Sequence, residues 1–164
     1  MAISKKGSNV IYVFDSCALV DLFKHYYVGR FPTLWEKFDS CVEEGTIISV
    51  REVRNELDGY NDRLSAWTKS KPEFFHSPEY DELHFVSSIF QVNHFQGLIR
   101  QQERLKGKPV ADPFVIAKAK CKNGTVVTQE AHRPNGAKIP NVCEYFGIFC
   151  INLEGFMEKE NWTF

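Results

Sequence analysis

The sequence predicts an α/β fold, a three-layer α/β/α arrangement around a central, mostly parallel sheet of four to five strands. Three observations predict it. β-Branched and aromatic runs recur at residues 9–14, 46–50, 125–128 and 148–152. These runs lack polar–apolar alternation, as expected of strands covered on both faces. Segments of helical periodicity separate them, and strands alternating with helices build parallel sheets. A chain of 164 residues suits one domain, taken here as 1–164.

The elements follow in order. Residues 9–14, Asn-Val-Ile-Tyr-Val-Phe, form the first strand, which Asp15-Ser16 ends. Leu19, Val20, Leu22, Phe23 and Tyr26 then stripe a helix over 17–27. Beyond Pro32, Leu34, Trp35, Phe38 and Val42 stripe a second helix, with Thr33 as its candidate cap and Gly45 closing it. The strand at 46–50 leads at once into a charged helix, 51–57, stopping at Gly59. Residues 60–78 read as mixed and polar, broken by Pro72 and Pro78. From Glu79 to about Leu105 the pattern is helical in two pieces, with Leu83, Val86, Phe90, Phe95, Leu98 and Ile99 inward. Gly107-Lys108-Pro109 is a loop. Asp112-Pro113 opens a helix that runs through Cys121 and is closed by Asn123-Gly124, ahead of the strand at 125–128. A Pro/Gly loop, 131–140, precedes a short helix near 142–146. The last strand follows Gly147, and the chain ends in a frayed helical tail.

Composition narrows the class. Apolar residues at 43% and charged residues at 25% exclude wholesale disorder. No apolar run approaches the roughly 20 residues that span a bilayer, and Met1–Gly7 lacks the apolar stretch of a signal peptide. Five scattered cysteines without a C-x-x-C pair argue against a disulfide framework or a thiolate zinc site. A cytoplasmic protein without membrane association is expected. The net charge of −1 argues against a protein that coats nucleic acid, yet the charge is segregated. Residues 97–138 carry nine Lys and Arg against three acids. That block (Arg100, Arg104, Lys106, Lys108, Lys118, Lys120, Lys122, Arg133, Lys138) is either a solvated face or a local phosphate-attracting surface.

A parallel sheet places its binding crevice at the carboxyl ends of its strands, and acids gather there in this sequence. Asp15 directly follows the first strand. Glu56 lies in the helix after the second, and Glu130 comes two residues after Val126-Val127-Thr128. Asp112 begins the helix that feeds that strand. Converging carboxylates repel one another unless a cation or a shared proton neutralises them. All-oxygen ligands without His or Cys favour Mg²⁺ or Mn²⁺, and such a site suits phosphodiester hydrolysis. Each acid also has a plain reading. Asp15 and Asp112 read equally as N-caps, Glu56 as a solvated helix residue and Glu130 as a loop residue. Glu52, one turn before Glu56, needs either a screen from Arg51 and Arg54 or a cation.

Together these segments resemble the PIN-domain nucleases. The motifs are Val13-Phe14-Asp15-Ser16 after a buried strand and Val53-x-x-Glu56-Leu57-Asp58 after another. Val110-Ala111-Asp112-Pro113-Phe114-Val115-Ile116-Ala117 then precedes Val126-Val127-Thr128-x-Glu130. The resemblance runs in the family's order over roughly residues 10–152 and is nearest to prokaryotic, VapC-like toxin ribonucleases of toxin–antitoxin pairs. It implies a single PIN-like domain whose metal-holding, catalytic acids fall on Asp15, Glu56 and Asp112. The fourth acid falls on Glu130, where the family often has Asp, so Glu130 is expected to act through water or to contribute less. Hydroxyls that the family places near the metal match Ser16 and Thr128, as positioners of water or phosphate. It also implies Mg²⁺ or Mn²⁺ as cofactor and RNA as substrate, with Lys118, Lys122 and Arg133 on flanking phosphates. A cognate antitoxin and a homodimer are the partners it implies. The competing reading is a catalytically inactive PIN-like module that binds RNA or a protein. A phosphohydrolase with an aspartyl nucleophile would place a second acid after Asp15, where Ser16-Cys17 offers none.

Overall fold

The computed structural model describes residues 10–59, 62–98 and 110–164. Five strands form one all-parallel sheet: β1 (Tyr12–Phe14), β2 (Ile47–Val50), β3 (Phe75–His76), β4 (Thr125–Val127) and β5 (Cys150–Ile151). Their spatial order is β3-β2-β1-β4-β5, which places the first strand at the centre. Tyr12 lies opposite Ile47 on one side and Thr125 on the other. The three central strands are wholly buried, which explains their lack of alternation.

Among the described residues, eight α-helices cover the sheet: α1 (Ser16–His25), α2 (Pro32–Glu44), α3 (Arg51–Leu57), α4 (Asp62–Ser70), α5 (Tyr80–Gln91), α6 (Ala111–Cys121), α7 (Ile139–Phe146) and α8 (Leu153–Lys159). No helix among the described residues is long and apolar enough to cross a membrane. The three-layer expectation holds. Gly45, in the left-handed region with φ 76°, closes α2 as expected. At the end of α6 the chain turns through Asn123 (φ 50°) and passes so close to β1 that a Cβ on Gly124 would lie 2.6 Å from the Ile11 carbonyl oxygen. Gly124→Ala is therefore expected to lower stability by roughly 1–3 kcal/mol. A thermal midpoint equal to the wild type's would contradict that close approach.

Four expectations fail. Thr33 does not cap α2, whose N-cap is Phe31, and lies inside the helix. Residues 60–78 contain α4 and the edge strand β3, which pairs with Ser49 and Val50. Two residues sandwiched between Pro72 and Pro78 leave no periodicity to read. Leu83, expected inward, is 47% exposed. The buried residues of α5 are Glu82, Val86 and Ile89, because Glu82 meets Lys118 in the interior and turns its neighbour outward. The tail is not frayed. Asn152 caps α8 by accepting from the Gly155 amide at 2.8 Å, and Phe156 packs edge-on to Tyr12 and Phe14, with centroids 4.8 and 5.2 Å away. Ile99 and the loop at Gly107-Lys108-Pro109 lie outside the described residues.

Candidate active site

All five strands point their carboxyl ends to one edge, and the acids assemble there. Asp15 extends β1 by one residue: its amide donates to the Val127 carbonyl at 2.9 Å, which sets it beside Thr128. It occupies the N-cap position of α1 but makes no side-chain cap hydrogen bond. Its carboxylate, 2% exposed, accepts instead from the Thr128 hydroxyl and the Cys17 thiol, each 3.1 Å from Oδ2. The cap reading of Asp112 fails too, because Val110 is the N-cap of α6 and Asp112 lies inside the first turn.

Glu56 is half-buried and doubly tethered. Its Oε2 accepts from Ser16 Oγ at 2.8 Å, and its Oε1 accepts from the Ala111 amide at 3.2 Å. It therefore satisfies one of the unpaired N–H groups that open α6 and joins α1, α3 and α6 around Asp112. Glu130 is anchored likewise, accepting the Ile139 amide at 3.0 Å at the start of α7. Its own amide donates to Thr128 Oγ1 at 3.2 Å. The two hydroxyls are thus bonded to the acids: Ser16 to Glu56, Thr128 to Asp15.

Electrostatics record the crowding. Burial raises the Asp15 carboxyl to about 6; the Cys17 hydrogen bond opposes the rise, while Glu130 and Glu56 add to it. Burial likewise pushes Asp112 well above the ordinary carboxylate range, followed by repulsion from Asp15, Glu130 and Glu56, with Lys138 opposing. The Cys17 thiol is pushed up to about 12, first by burial and then by Asp15, so at neutral pH it is an uncharged S–H. Glu52 is buried beside Arg51, 3.1 Å away, which supplies the expected screen.

The donor set is all-oxygen, with Asp15 buried and Glu56, Asp112 and Glu130 half-buried, and in kind it fits a hard divalent cation. Its spacing is open: no three His, Cys, Asp or Glu side chains among the described residues are grouped closely enough to hold a metal ion as they stand.

The basic residues separate into groups. Lys118 cannot bind phosphate. It is fully buried, with Nζ 2.7 Å from Glu82 Oε1 and donating to the Ser77 carbonyl at 3.5 Å. Spacing alone gave it a surface face, but α6 packs against α5 there and burial of the ammonium requires its partner. Lys122 sits at the opposite end of α6, about 15 Å of helix from Asp112, and pairs with Glu79 at 3.7 Å. Its expected place beside the acids is corrected accordingly. Arg133 is exposed on the loop that follows Glu130, on the strand-end side. Arg100, Arg104, Lys106 and Lys108 lie outside the described residues. Reasoning from sequence missed Cys17 and Gln129. The side chain of Gln129 donates to Asp21 at 3.2 Å and accepts from the Leu153 amide at 2.9 Å. Only their positions, one or two residues from an expected acid, signalled them.

A family model described as "Domain of unknown function (DUF4411)" matches residues 12–164. No curated protein matches. Among solved structures, the chain is similar to VapBC2 from Rickettsia felis, a structure bound to a DNA fragment from its promoter. Identity is 13%, over 87% of this chain and 98% of that one, with a TM-score of 0.46. It is also similar to PAE2754 from Pyrobaculum aerophilum, at 16% identity over 95% of this chain and 92% of that one, with a TM-score of 0.48.

Proposed function

The chain belongs to the DUF4411 family, whose description leaves its activity open, and from the site we propose a Mg²⁺- or Mn²⁺-dependent endoribonuclease. One observation carries the proposal: at the sheet's carboxyl edge Asp15 and Asp112 are both raised, by burial and by repulsion from the neighbouring Glu130 and Glu56. Structural carboxylates are usually paired with bases or exposed. Buried acids left in mutual repulsion store a demand for positive charge.

Asp15, Glu56 and Asp112 would hold the ion, with Glu130 bordering them. When bound, the ion supplies Lewis acidity to the scissile phosphate and to the attacking water. Ser16 holds Glu56 from the residue beside Asp15, and Thr128 fixes Asp15 against β4. Arg133 and Lys138 follow Glu130 in the chain and offer cations to an incoming phosphate backbone. The resemblance noted in the sequence extends the proposal to a toxin restrained by a cognate antitoxin.

The test is cleavage of a panel of single-stranded and structured RNAs, with and without EDTA. Cleavage should stop on chelation and return with Mn²⁺. Asp112→Asn should weaken Mn²⁺ binding by about 10–100-fold. Cleavage that persists in EDTA would overturn the proposal.

A second reading has its own support. The open spacing of the acids and the hydrogen bond tying Glu130 to α7 favour a non-catalytic module that binds RNA or a protein. Wild-type protein that binds RNA but neither Mn²⁺ nor Mg²⁺ would select it.

A further inference from the structure

We propose that Cys17 is a positioning residue of this site: its thiol and the Thr128 hydroxyl pin one oxygen of Asp15, which leaves the other presented towards Glu56 and the cation. The inference deepens the nuclease reading and rests on it.

The hydrogen bonds apportion the atoms. Asp15 Oδ2 has Cys17 Sγ and Thr128 Oγ1 each at 3.1 Å, and those two atoms lie 3.2 Å apart. The three groups close a ring. Gln129 donates its backbone N–H to Cys17 Sγ at 3.3 Å, which occupies the sulfur as acceptor and leaves its proton for the ring. Thr128 Oγ1 accepts from the Glu130 amide, so its own proton is the one given to Asp15. Oδ1 is differently placed. Its neighbour Ser16 Oγ lies 3.4 Å away, and that hydroxyl donates at 2.8 Å to Glu56 Oε2. One face of the carboxylate is thus held by two donors and the other is left with a weak contact.

A thiol suits the position physically. It donates while uncharged, whereas an ammonium or guanidinium would neutralise Asp15 and compete with the cation. Cys17 is also the second residue of α1, so the helix that begins at Asp15's own cap position carries the group that orients Asp15. Partners that orient ligands in this way commonly change metal affinity or activity by about 10–100-fold when removed.

The test uses the full chain with Cys17→Ala and Cys17→Ser, each checked for a wild-type thermal midpoint. Cys17→Ala should weaken Mn²⁺ binding, measured by calorimetry on the metal alone, by about 10–100-fold. It should lower kcat on RNA more than it raises KM. Cys17→Ser keeps an X–H donor and should recover most of both. A second readout needs no metal. The infrared S–H stretch of Cys17, identified by difference against Cys17→Ser, should lie below that of exposed Cys121, and Asp15→Asn should move it upward. Wild-type Mn²⁺ affinity in Cys17→Ala, or an S–H band unmoved by Asp15→Asn, would overturn the inference. A shifted band in a protein that binds no metal would instead remove the nuclease reading and leave Cys17 as a structural tether of Asp15.

Discussion

Asp15→Asn should reduce RNA cleavage by about a thousandfold or more, roughly 4 kcal/mol of transition-state stabilisation. The amide oxygen can still accept from Thr128 and Cys17, so the fold and both of those hydrogen bonds persist. What disappears is the charge at the centre of the acidic group. The same substitution should stabilise the metal-free protein at neutral pH, and the sign follows from the raised carboxyl. The folded state holds a proton on Asp15 up to about pH 6, whereas the unfolded chain releases it near its ordinary value of 3.8. The resulting stabilisation is complete below about pH 4 and is lost as pH rises through 6. The thermal midpoint of Asp15→Asn minus that of wild type should therefore grow between pH 4 and 7. Saturating Mn²⁺ at pH 7 should raise the wild type more than the variant. Parallel melting curves across that range, or near-normal cleavage by the variant, would exclude Asp15 from the site.

Lys118→Ala is expected to be the most destabilising single change away from the acids. Its ammonium and the Glu82 carboxylate are both shielded from water, with Nζ 2.7 and 2.9 Å from the two carboxylate oxygens. Glu82 also accepts the Glu79 amide at 3.0 Å, where it closes the first turn of α5. Truncating Lys118 leaves a buried charge uncompensated, a cost of about 3–5 kcal/mol. That corresponds to a fall in thermal midpoint of roughly 10 °C or more for a chain of this size. Measured below that midpoint, the KM for RNA should not change. A raised KM with undiminished stability would restore Lys118 to phosphate binding. The double variant Lys118→Met with Glu82→Leu should recover much of the loss, because an apolar pair of similar volume needs no compensation.

The legible parts of this protein are those set by short-range pattern. Buried runs without alternation marked β1, β2 and β4, and an apolar run after Gly147 marked the region of the half-buried edge strand β5. The acids at their ends marked the edge near which Asp15, Glu56, Asp112 and Glu130 lie, openly spaced, because chain direction in a parallel sheet fixes which ends coincide. The illegible parts depend on tertiary partners. β3 is a strand only because β2 offers it an edge. Spacing put Lys118 on a surface face; Glu82, 36 residues away, made it internal. Cys17 looked inert because nothing in a sequence shows which oxygen a thiol will face. The cap readings of Asp15 and Asp112 failed for a related reason, since the Asp15 carboxylate is taken up by Thr128 and Cys17 and α6 begins before Asp112.

The strand order also dictates a timetable. β1 is made first but needs β4 as a neighbour, and Thr128 follows Asp15 by 113 positions. At about 5–20 residues per second the ribosome needs roughly 6–20 s to deliver it. For most of that interval the nascent chain lacks Asp112, and throughout it Cys17 is without its threonine and the central strand without its β4 neighbour. Whatever chemistry this edge performs, it can begin only after β4 and Thr128 have been made.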